Sequence, residues 1–157
     1  KIVSSIINKS CSFTIMAHKI EITIDVIVHA TEDILKIYQS FEDVLNLKED
    51  DFVLEEVEGH YENPIIMLKA KIVKMQAQDL MSKILELLPD EQIKELIEEI
   101  EERTVDSRFH MRLDKQELIK GNLAIREKDT IKLKIHSPIY NKKDTVKIFT
   151  EIFQIAN

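Results

Sequence analysis

The chain has 157 residues, 44% of them hydrophobic and 32% charged, with 2 Gly, 3 Pro and 1 Cys. This fits one globular domain with a core of useful size; it excludes long linkers, low-complexity tracts and a bilayer-spanning run of about 20 apolar residues. The net charge of −7 hides an asymmetry, because Lys1–Glu102 carries 10 Lys+Arg against 22 Asp+Glu whereas Arg103–Asn157 carries 12 against 7.

Residues 1–17 read as an extension to a single domain over 18–157. Lys1–Ile15 holds no acid, and Asn8, Lys9 and Ser10 interrupt its apolar stretch, so a signal peptide is not expected. Met16-Ala17, followed at once by a strand, looks like a start of translation. The expectation is an upstream extension without a part in function; an extra edge strand through Phe13 and Ile15 is the alternative. Cys11 has no partner for an internal disulfide, which points to a reducing cytoplasm.

Ile20, Ile22, Ile24, Val26 and Val28 alternate with Glu21, Thr23, Asp25, Ile27 and His29, which predicts a strand over Ile20–Ala30. Thr31 is placed to cap an amphipathic helix over Glu32–Leu47, with Ile34, Ile37, Tyr38, Phe41, Val44 and Leu45 on its apolar stripe. Asp51–Glu58 reads as a second strand. A turn through Gly59–Pro64 leads to a third over Ile65–Lys74, with Lys69 and Lys71 opposite its apolar face. Gln76–Leu88 and Asp90–Glu102 have helical spacing and are separated by Pro89. Arg108–Leu113 is a basic strand. Asp114 then caps a short helix, Lys115–Lys120, which Gly121 closes. Asn122–Arg126 and Thr130–His136 read as a hairpin, and Asn141–Ile155 as a final helix with Val146, Phe149, Ile152 and Phe153 inward. Grouped strands with helices between them predict an α+β fold: a single antiparallel or mixed sheet with helices packed on one face.

No residues assemble into a catalytic signature. There is no Gly-x-Ser-x-Gly elbow, two glycines cannot build a phosphate loop, and Cys11 lies in the extension. His18, His29, His60, His110 and His136 lack zinc spacing, and Glu98, Glu99, Glu101 and Glu102 suit a solvated helix face better than a cation site. The expectation is a protein that is not an enzyme, with no cofactor and no metal.

The basic third offers a surface instead. Arg108, His110 and Arg112 alternate with Phe109, Met111 and Leu113, and Lys132, Lys134 and His136 alternate with Ile131, Leu133 and Ile135. Period-two alternation sends one set to the core and the other to water. Arg126 shares that surface if its segment pairs as a hairpin. The bland reading is that exposed strand lysines and arginines only protect edges from aggregation. The functional reading is that cations on several strands of an acidic protein meet phosphates. Phe109 is expected in the core, so stacking of bases on aromatic rings is not predicted.

Two stretches carry a resemblance. Gly59-His60-Tyr61-Glu62-Asn63-Pro64-Ile65 and Arg112-Leu113-Asp114-Lys115-Gln116, followed by Gly121, resemble a family of small archaeal RNA-binding proteins described as predicted exosome subunits. His29-Ala30-Thr31-Glu32-Asp33 is similar to that family's strand-to-helix junction, and the likeness spans about Lys19 to Ile155. Glu62 departs from it, standing where glycine is common. The resemblance implies a fold similar to that of the ribosomal protein that binds 5S rRNA, and RNA binding without catalysis, tied to RNA processing or translation.

Together these readings give a cytoplasmic protein that binds structured RNA by its backbone. Arg108, Arg112, Lys132 and Lys134 are assigned to phosphates, with His110, Arg126, Lys115 and Gln116 at the margin. The alternative is an interaction module in which this face, or the acidic helix Asp90–Glu102, docks a protein partner or a second copy. No membrane contact is expected.

Overall fold

The alternating segments close into a six-stranded sheet in a computed structural model that describes residues 19–58, 64–138 and 142–156. The strands are β1 (Glu21–Val28), β2 (Phe52–Glu58), β3 (Pro64–Ile72), β4 (Thr104–Val105), β5 (Arg108–Asp114) and β6 (Thr130–His136). The helices are α1 (Ile34–Leu45), α2 (Lys74–Leu87), α3 (Asp90–Glu98), α4 (Ile100–Arg103), α5 (Lys115–Ile119) and α6 (Lys142–Ala156). The order is β2-β3-β1-β6-β5-β4 and every neighbouring pair is antiparallel, so the fold is α+β as expected. The extension 1–17 and residues 59–63 of the turn motif, including Glu62, lie outside the described residues.

One face of the sheet is apolar and carries the helices. Ile22, Ile24 and Val26 of β1, Leu68 and Ile72 of β3, Phe109 and Met111 of β5 and Ile131 and Ile135 of β6 are buried there. Phe41, Met81, Ile84, Leu96 and Phe149 reach them from the helices. Burying each such side chain stabilises the fold by about 1.5–3 kcal/mol. Phe109 lies 5.4 Å and 5.0 Å (ring centroids) from Phe149 and Phe153, which anchors α6 to β5.

Three local expectations change. Asp33, not Thr31, caps α1, its carboxylate accepting from the Leu35 amide at 3.0 Å. Glu32 accepts from the His29 amide at 3.0 Å and so holds the turn before the helix. The helix expected over Asp90–Glu102 breaks at Glu99 (φ −99°, ψ 8°), and the chain then turns into β4, with the Thr104 hydroxyl donating to the Ile100 carbonyl at 2.6 Å.

The third change concerns 122–126, which does not form a hairpin with β6. Both edges of β6 are taken, by β1 and β5. The short β4 leaves the far end of β5 unpaired, and this segment occupies it: Asp114 N donates to Ala124 O at 2.8 Å and Arg126 N to Arg112 O at 3.2 Å. Gln92 of α3 fixes it from behind, accepting from the Ile125 amide at 2.8 Å.

A candidate nucleic-acid interface

The second face of the sheet carries no helix, and its side chains are set by strand register. Arg108 pairs across β5 and β6 with His136, His110 with Lys134, and Arg112 with Lys132. The rows continue onto β1, where His136 meets Glu21, Lys134 meets Thr23 and Lys132 meets Asp25. They end on β3, with Thr23 opposite Lys71 and Asp25 opposite Lys69. Parity therefore brings Arg108, His110, Arg112, Lys132 and Lys134 onto one wall, which they share with His136, Thr23, Glu21, Asp25, Lys69 and Lys71.

The wall divides in two by charge. On β3, Lys69 lies 3.2 Å from Glu55 and Lys71 3.9 Å from Glu21, so both lysines have carboxylate partners. On β5 and β6, Arg108, Lys132 and Lys134 make no ion pair among the described residues. Arg112 donates to the backbone carbonyl of Glu127 at 3.1 Å and so keeps its full charge. Held at strand spacing, about 4.8 Å across and about 6.8 Å between alternate residues, these cations repel one another. His110 registers that field: desolvation, then Lys134, Arg108 and Arg112, push its pKa below the ordinary 6.5. An anion that neutralises the row reverses the Coulombic part of this shift.

Of the expected marginal residues, Arg126 is exposed and sits beside Arg112, with its guanidinium 3.4 Å from Asp114. Gln116 is exposed in the first turn of α5. Lys115 departs from the expectation. It is 1% exposed, and its ammonium donates to Ile27 O and Glu32 Oε1, both at 2.8 Å, and lies 3.0 Å from Asp129 Oδ1. All three N–H donors are thereby engaged. The side chain ties the end of β1, the turn before α1 and the turn before β6 to α5, and is unavailable to a ligand. Its position at the start of a helix, where a cation is disfavoured, follows from these carboxylates.

Among the described residues His29, Glu32 and Asp129 could converge on a cation. That place is held by Lys115. The ammonium keeps the Asp129 carboxyl below its ordinary value, first by hydrogen bonding and then by charge; His29 adds to this, and desolvation opposes it.

The sheet also contains what sequence reasoning left out. Asp25, Ile27, Met67, Lys69, Thr130, Lys132 and Lys134 line a groove of about 220 Å³ that opens on this face. The alternation of β1 gave the outward direction of Asp25 and Ile27. No local signal placed β1 between β3 and β6, and that pairing is what creates the groove.

Bare cations on a helix-backed sheet define a class: an α+β protein whose open face suits a polyanion. A family model described as RNA binding matches residues 21–137, and the chain belongs to that RNA-binding family. An uncharacterized protein of Methanocaldococcus jannaschii is 31% identical over 137 residues, covering 80% of this chain and 91% of the relative. A protein named as RNA-binding from Pyrococcus abyssi is 28% identical over 146 residues, covering 87% and 94%. A solved DUF54 structure from Methanothermobacter thermautotrophicus superposes with a TM-score of 0.71 at 26% identity, covering 86% of this chain and 98% of its own. Among the described residues, no helix is long and apolar enough to cross a membrane.

Proposed function

We propose that the protein binds structured RNA through the β5–β6 half of its open sheet face, by contacts to the phosphate backbone and without catalysis. Arg108, Arg112, Lys132 and Lys134 make the contacts, with His110, Arg126 and Gln116 at the margin. One observation carries this reading: cations stand in register on adjacent strands without carboxylate partners, in a chain of net charge −7. Edge protection does not explain Lys132 and Lys134, because β6 lies between β1 and β5 and is not an edge strand. Phe109 is buried, so no aromatic ring of β5 is offered to bases. Electrophoretic titration of a hairpin RNA tests the proposal. The combined substitution Arg112→Glu and Lys132→Glu abolishes binding, and affinity that ignores this change refutes it.

The cellular setting implied by the resemblance, cytoplasmic RNA processing within an exosome or the translation apparatus, belongs to the same proposal. Protein contact is the second reading, and what favours it is the sheet edge β2, where Val53, Leu54 and Val57 are exposed. Pull-down before and after nuclease treatment separates the two. Association carried by RNA disappears with nuclease, whereas association through β2 survives it and is lost in Val57→Lys.

A further inference from the structure

Phosphate contacts do not account for the groove on the same face. A site built only for phosphates needs neither an apolar floor nor a carboxylate, which repels them. Yet Ile27 (36% exposed) and Met67 form an apolar patch here, and Asp25 stands between Lys132 on one strand and Lys69 on the other. Asp25 makes no ion pair or hydrogen bond among the described residues, despite lysines in register on both sides. Lys69 turns to Glu55 instead. An unengaged acceptor beside an apolar platform, fringed by free ammonium groups, is the layout of a nucleotide site.

We propose that this groove takes one unpaired guanine of the bound RNA. The base lies over Ile27 and Met67, its Watson–Crick edge meets the Asp25 carboxylate, and Lys132 and Lys134 hold the flanking phosphates. Guanine is selected because its N1–H and N2–H are adjacent donors that a carboxylate accepts together. Adenine and cytosine place a ring-nitrogen acceptor beside the amino group, and uracil flanks its single donor with carbonyls; each therefore sets a lone pair against Asp25. At about 220 Å³ the groove is below the roughly 300–1,000 Å³ of sites for larger ligands, which suits a single base. Without an aromatic ring, the platform gives weak stacking, so selectivity rests on Asp25. The inference rests on the RNA-binding reading and adds base recognition to it.

The test compares hairpin RNAs identical except for one bulged nucleotide, G, A, C or U, titrated into the full chain. The bulged G binds at least about tenfold more tightly than the other three, the order of discrimination of one two-pronged base contact. Asp25→Asn, which keeps shape and fold, brings the bulged-G affinity down to the level of the other three RNAs, whose salt-dependent affinity stays intact or rises. Met67→Asp lowers affinity for the bulged RNAs more than for a fully paired stem. Equal affinity for all four nucleotides, with Arg112→Glu and Lys132→Glu still abolishing binding, overturns the base site alone. Failure of every RNA to bind overturns the phosphate wall with it.

Discussion

Replacing Lys115 by methionine isolates the one buried cation among the described residues. The ammonium it removes is 1% exposed and bonds Ile27 O and Glu32 at 2.8 Å, with Asp129 at 3.0 Å. Methionine nearly fills the volume, so the cost is electrostatic and not that of a cavity. Asp129, with 49% of its side chain exposed, rehydrates and contributes little. Glu32, at 17%, and the Ile27 carbonyl are left poorly solvated. Removing one partner of a fully buried pair costs about 3–5 kcal/mol, and the partial exposure here favours the lower end, about 3 kcal/mol. For a chain of this length that lowers Tm by about 6–12 °C.

Urea unfolding followed by circular dichroism checks this, with a lower midpoint at unchanged slope. Asp129 adds a pH signature. Its carboxyl is held below the ordinary value chiefly by Lys115. The stability linked to it is therefore present above the ordinary carboxylate range and is lost as pH falls through the folded-state value. The variant lacks that share, so the gap to wild type narrows in acid. A midpoint within error of wild type at neutral pH refutes the role assigned to Lys115. Weakened RNA binding by the folded variant would return Lys115 to the contact surface.

Two further outcomes follow from the same geometry. Desolvation, and then the neighbouring cations, hold His110 below its ordinary pKa, and phosphates bound along the row would reverse the cations' share. RNA binding therefore takes up a proton, and affinity rises by at most about tenfold per pH unit as pH falls through the ordinary imidazole value of about 6.5 toward the lower value of the free protein; His110→Asn flattens the profile, and a flat wild-type profile refutes the coupling. Gly121 has φ +93° and open space where a Cβ would lie, so Gly121→Ala loses about 1–2 kcal/mol through backbone strain alone. Urea denaturation measures it, and an unchanged midpoint contradicts the strain.

Period-two patterns made the wall legible before the sheet was known. Phe109, Met111 and Leu113 are buried and their alternating cations are not, because one buried face fixes strand parity. Cross-strand neighbours are another matter. That β1 separates β3 from β6 is a long-range pairing, so Asp25 in the middle of the cations could not be read from its own segment. The same holds for Lys115, whose partner Glu32 is 83 residues away. Thr31 and Asp33 are both good caps by residue type, and the choice between them depends on how Glu32 is engaged. The segment 122–126 pairs with β5 and not β6 because alternation states only that a segment pairs, whereas the free edge available to it belongs to β5.

The salt dependence of RNA affinity reaches the central claim most directly. On the proposed contacts, Arg108, Arg112, Lys132 and Lys134 would each displace a counterion, so the logarithm of affinity should fall against the logarithm of salt with a slope of about −3 to −4. Arg112→Ala and Lys132→Ala should each make it shallower by about 1. A slope near zero, or one that neither substitution moves, contradicts an interface made of phosphate contacts on this sheet face.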